Sequence, residues 1–124
     1  MAVDNTQKVE VRARVSRSEL LAQVAEEAVE LSLAAMEMSP PEDGSLLAKA
    51  ASRLAHSALK LRRTFTFESP TPITTEAAML KVQEELADVL LCLDILGIDV
   101  TDANIDLIQE QKLARWIQRL KGGV

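Results

Sequence analysis

A chain of 124 residues is long enough for one hydrophobic core, and 48% apolar residues with only four glycines and four prolines favour helices over strands and turns. The formal charge of −5 excludes a nucleic-acid polymer as partner, because neutralising a phosphate backbone takes an extended basic face. No uncharged apolar run is long enough to span a bilayer, and the charges between Asp4 and Arg14 leave no apolar segment for a signal peptide, so a cytoplasmic protein with no membrane partner is expected.

Residues 1–7 carry no pattern. Val9, Val11, Ala13 and Val15 then alternate with Lys8, Glu10, Arg12 and Arg14, which suits an extended arm laid on a neighbour. A disordered tail running into a helix is the other reading, and both stay open for residues 1–15. The remaining stretch, 16–124, reads as one all-α domain.

Ser16-Arg17-Ser18-Glu19 is a capping-box pattern, and helical periodicity follows from Leu20 to Met38, before Pro40-Pro41. Ser45 is placed to cap a second helix to about Arg63, with Leu46, Leu47, Ala50, Leu54, Ala58 and Leu61 among its apolar positions. The short alternating stretch Arg63 to Phe67 and the prolines at 70 and 72 make an extended connection. A third helix runs from Thr74 or Thr75 to a C-terminal stop at Gly97, and a fourth, capped by Asp99 or Thr101, from about Asp102 to Lys121. Four such helices with short links predict an antiparallel four-helix bundle. The third helix is apolar almost all round between Val89 and Leu93, which predicts a homo-oligomer with Leu91 between chains. Cys92 and His56 are single residues of their kind, read as a core thiol and an ordinary helical histidine. With a shift of 23 residues Ala25, Ala28, Leu31 and Ala35 align on Ala48, Ala51, Leu54 and Ala58, a similarity that shared helical periodicity can produce.

Two acids sit where apolar residues are expected. Projected as a helix, Glu85 falls within the stripe of Ala78, Val82, Val89, Cys92 and Leu96, with Asp88 about 60° to one side. Glu27 lies beside Leu20, Val24, Leu31 and Met38, with Glu30 about 60° away towards Gln23 and Glu26. A buried acid has to be neutralised, paired or bound to a cation. If the two stripes face each other, four carboxylates converge, a donor set suited to Mg²⁺, with Mn²⁺ as the alternative, and through such ions to a polyphosphate.

Glu26-Glu27-x-x-Glu30 followed by Glu85-x-x-Asp88 resembles the paired E-E-x-x-E and E-x-x-D motifs of the all-α nucleoside triphosphate pyrophosphohydrolases, the MazG-like superfamily that includes dimeric dUTPases and phosphoribosyl-ATP pyrophosphohydrolase. Ser69-Pro70-Thr71-Pro72 and Lys112-Leu113-Ala114-Arg115-Trp116 also resemble the MazG-like branch, and the likeness covers roughly residues 18–121. It implies Mg²⁺-dependent cleavage of the α-β phosphate bond of a (deoxy)nucleoside triphosphate to the monophosphate and pyrophosphate. It further implies Glu27, Glu30, Glu85 and Asp88 as metal ligands and catalytic residues, Glu26 as their support, and assembly as a homodimer or homotetramer.

Lys112 and Arg115, with Arg119 behind them, are expected phosphate contacts on the fourth helix, although basic residues near a helix C-terminus also suit its dipole. Lys60 and Arg63 are candidates for the same role; Phe65 and Phe67 are candidates for base stacking or for closing the core. The rival to an enzyme is a non-catalytic helical oligomer or regulatory module that binds nucleotide or metal without turnover.

Overall fold

The computed structural model describes residues 5–66 and 73–122, and every regular element among them is an α-helix. In chain order these are α1 (Asn5–Arg14), α2 (Arg17–Met36), α3 (Pro41–Thr66), α4 (Thr75–Ile95) and α5 (Ala103–Leu120). Phe67 and the Ser69–Pro72 connection lie outside the described residues. Two compact units are present: α2, α3 and α4 form one, over residues 17–98, and α1 groups with α5 in the other. The helices expected from the sequence are all found, distributed over these two units, and a fifth helix occupies the region expected to be an arm or tail.

That fifth helix has a simple origin. An alternation at i, i+2 and i+4 contains an i, i+4 pair, so the pattern from Val9 to Val15 fits a helix as well as a strand. In the helical form Val11 and Val15 are buried while Val9 stays exposed. Val11 of α1 and Ile117 of α5 are the buried residues of their helices. Glu10 and Lys121 join the pair by an ion pair at 3.2 Å.

In the larger unit α3 is the middle helix. It packs along α2 on one side and α4 on another, and α2 and α4 form no comparable interface. α2 and α3 run antiparallel, since Arg62 Nε near the end of α3 donates to the Ser18 carbonyl at 3.2 Å and to its hydroxyl at 3.0 Å. At the other end a Cβ on Gly44 would lie 1.7 Å from the Ala35 carbonyl oxygen. Only glycine allows that approach. Pro41 opens α3 at the first helical position, where its missing N–H costs nothing, so the helix begins before Ser45 and continues through Thr66.

The α2–α3 interface is built of alanine: Ala25, Ala28 and Ala35 meet a face of α3 that includes Ala48, Ala51, Ala55 and Ala58, all buried. Seven of the eight residues in the 23-residue correspondence are therefore buried, and Leu31, the eighth, packs against the same cluster. Small side chains spaced by three and seven residues on α2 and by three and four on α3 bring the backbones close together. Val82, Cys92, Leu93 and Leu96 of α4 close the core from the other side. The end of α4 is a Schellman turn, in which Ile98 N–H donates to the Leu93 carbonyl at 2.9 Å and Gly97 N–H to the Asp94 carbonyl at 3.0 Å, with Gly97 at φ 80°. At the start of α4 the Thr74 hydroxyl accepts from Ala77 N–H at 3.2 Å. No described helix is long and apolar enough to cross a membrane.

Candidate functional site

The core face of α4 carries Ala78, Glu85 and Val89 as its buried residues, so an acid does occupy the inner side of this helix. Glu85 is 6% exposed. Its Oε1 takes Lys81 Nζ at 3.1 Å, one turn earlier on the same helix, while its Oε2 is buried with no hydrogen-bond partner. A buried acceptor without a partner loses its hydration and regains nothing, at a cost of order 1–3 kcal/mol. Hydrogen bonds to Glu85 and, less strongly, to Glu84 hold the Lys81 ammonium above the usual lysine range.

Beside Glu85 a cleft of about 480 Å³ opens between α3 and α4, lined by Ser52, Arg53, His56, Ser57, Lys60, Lys81 and Glu85. The two helices supply different things: α4 brings the carboxylate with its paired lysine, and α3 brings Arg53, His56 and Lys60. The Ser57 hydroxyl is already donated to the Leu54 carbonyl at 2.8 Å, so it offers the cleft only an acceptor.

The acids of α2 are placed differently from expectation. Glu26, Glu27 and Glu30 are all exposed, and Glu27 Oε1 accepts from Gln23 Nε2 at 2.8 Å. The reason is the alanine interface. Close packing on α3 turns Ala25, Ala28 and Ala35 inwards and rotates the Val24 and Glu27 flank of α2 towards solvent. Asp88 is likewise exposed on α4. With α3 between α2 and α4, the stripes that carry the two acid motifs do not face each other. Among the described residues no group of three or more histidine, cysteine, aspartate or glutamate side chains is placed to hold a metal ion. The charged groups that line the cleft with Glu85 are Arg53, Lys60 and Lys81 rather than further acids, so the lining in a single chain does not offer Mg²⁺ a set of carboxylates.

Of the other expected contacts, Lys60 lines the cleft with Glu85, whereas Arg63 is exposed outside it. Lys112, Arg115 and Arg119 are exposed on α5, in the unit that α1 and α5 form. Phe65 is half-buried at the end of α3 with the Arg17 guanidinium 5.6 Å over its ring, a contact that fastens α2 to α3. Arg53, His56 and Lys81 were not among the expected site residues. A signal for Arg53 exists in the sequence: from Gly44 to Thr66 there are five Lys or Arg residues and no Asp or Glu, within a chain of net charge −5.

Comparison with protein-family models, with curated proteins and with solved structures finds no match to this chain.

Proposed function

We propose that the chain is a pyrophosphohydrolase of (deoxy)nucleoside triphosphates of the MazG-like type, with its reacting centre at Glu85. The observation that supports this reading is the buried Glu85 carboxylate, half satisfied by Lys81 and half without a partner, at the wall of a cleft that also holds the cations Arg53, Lys60 and Lys81. A surface ion pair exposes both partners; here the lysine is exposed but one carboxylate oxygen is held in the interior without a hydrogen-bond partner. A buried, incompletely satisfied group of this kind calls for an explanation, and a catalytic role is one.

In the reaction a water oxygen forms a bond to the α phosphorus. The bond from that phosphorus to the α-β bridging oxygen breaks, its electron pair leaves with pyrophosphate, and the water proton passes to the Glu85 carboxylate. Lys81 holds that carboxylate in place, while cations of the cleft offset the charge growing on the leaving group. No step is assigned to a protein-bound metal, because the acids of one chain do not converge.

That lack of convergence favours a second reading, in which the chain binds a nucleotide without turnover. Pyrophosphate release from a panel of canonical and modified nucleoside triphosphates, with and without Mg²⁺, decides between them. Release by the wild type and its loss in Glu85→Gln support the hydrolase. Silence across the panel from the folded protein selects the binding module.

A further inference from the structure

We propose that the α3–α4 cleft is a polyphosphate-binding site, with Arg53 and Lys60 of α3 and Lys81 of α4 as the groups that hold the anion. The inference rests on the hydrolase reading for the nucleotide to which the phosphates belong, but the anion site can be tested apart from turnover.

The cations belong to one stripe. Positions 53, 56 and 60 fall within about 60° of each other on a helical projection, and the axial rise from the first to the last is about 10.5 Å. Arg53 and Lys60 thus stand two turns apart on one wall, and Lys81 faces the same space from the other. An elongated anion with charges distributed along it engages all three without drawing their like charges together. A single orthophosphate does not. Three cations oppose one carboxylate, which leaves the lining at a net charge of +2 in a chain of −5.

A solvated basic face does not account for this arrangement. Surface cations on helices are ordinarily balanced by acids three or four residues away, yet α3 has none beyond Asp43. Among the described residues Arg53, His56 and Lys60 make no hydrogen bond or ion pair, whereas Arg62 on the same helix is committed to Ser18. Glu85 supplies the independent observation: an acid 6% exposed, aligned with the cleft, whose Oε1 fixes the Lys81 ammonium at the α4 wall. Lys81 is thus positioned before any ligand arrives, which reduces the side-chain ordering that binding otherwise requires.

Calorimetric titration of the full chain with sodium tripolyphosphate, pyrophosphate and orthophosphate, in EDTA without divalent ions, tests the proposal. Binding should strengthen from ortho- to pyro- to tripolyphosphate and weaken with added salt. Arg53→Gln and Lys60→Gln should each reduce tripolyphosphate affinity by at least about 10-fold, the loss expected for one charge-assisted contact. Lys49→Gln, an exposed change on α3 outside the cleft, should have no effect. The three substitutions are at exposed positions, and unchanged melting by circular dichroism confirms intact folding. No tripolyphosphate binding by the wild type, or binding that neither cleft variant weakens, overturns the site. If tripolyphosphate binds through Arg53 and Lys60 but no nucleotide is hydrolysed, the anion site stands and the hydrolase reading falls. If nucleotides are hydrolysed with KM unaffected by either variant, the hydrolase reading stands and this site falls.

Discussion

Lys81 and Glu85 are joined across one turn of α4, Nζ to Oε1 at 3.1 Å, with the lysine side chain half exposed and the glutamate side chain 7% exposed. The order along the chain is the less stabilising one for a helix, since an acid preceding a base suits the macrodipole better than the reverse. The pair is therefore poorly explained as a helix-stabilising device. It is well explained as a lysine held at the mouth of a cleft by a carboxylate in its wall.

Glu85→Gln should abolish pyrophosphate release while the melting temperature moves by only a few degrees. The substitution removes a charge whose burial is incompletely compensated, and the freed Lys81 is exposed enough to be rehydrated. Thermal unfolding alongside the release assay checks both halves. Retained activity removes Glu85 from the chemistry, and a collapse in stability makes the pair structural.

The Lys81 titration gives a pH prediction. Its folded pKa is raised above the ordinary value of 10.5, first by the hydrogen bond to Glu85 and then by Glu84, so the ammonium binds its proton more tightly in the folded state. The sign follows from linkage: the contribution to stability is fully present below pH 10.5 and is lost as pH rises through the folded pKa. NMR titration of the lysine side chain should place its midpoint above 10.5 in the wild type and return it towards that value in Glu85→Gln. Equal midpoints in the two proteins would contradict the pairing.

Gly44→Ala should destabilise the larger unit by at least about 2 kcal/mol, as expected for an added carbon with nowhere to go. A Cβ there meets backbone, the carbonyl oxygen of Ala35, rather than the movable end of a side chain. Urea unfolding with unchanged slope and a lowered midpoint is the expected result. A change within a few tenths of a kcal/mol would mean that α2 and α3 slide apart at little cost.

Leu91→Glu should convert an assembly into monomers or leave the chain unfolded. Leu91 is 58% exposed, Leu80 61% and Ile95 75%, all on the side of α4 away from α3, so the helix presents apolar surface on its outer face as well as its inner one. Light scattering at micromolar concentration tests this, and a folded wild-type monomer would count against a homo-oligomer.

The helices were legible in the sequence wherever the signal was local. Thr74 and Gly97 act through their own backbone geometry or through neighbours three or four residues away, so their roles at helix ends do not depend on distant packing; Pro41, expected only to stop a helix, opens α3 ahead of Ser45, and Asp102 rather than Asp99 or Thr101 caps α5. Glu85 was legible for a related reason. Its stripe on α4 is bounded by Ala78, Val82, Val89 and Cys92, and one buried face fits that pattern.

What a helical wheel cannot supply is the identity of the helix opposite. Glu27 shares a stripe with Val24 and Leu31, but the alanine row Ala25, Ala28 and Ala35 lies beside it on the wheel, and which row turns inwards depends on the partner. α3 offers alanines of its own, and the closest packing of backbones against it places the small residues inside and Glu27 in solvent. The same placement of α3 between α2 and α4 separates the two acid motifs and sets Arg53, His56 and Lys60 beside Glu85. Composition, periodicity and capping chemistry thus determined that the chain is helical and that Glu85 faces inwards. Only the order in which three helices pack decided that Arg53 and Lys60 of α3 stand beside that glutamate, because juxtaposition across helices is set by mutual fit of their faces and not by spacing along any one of them.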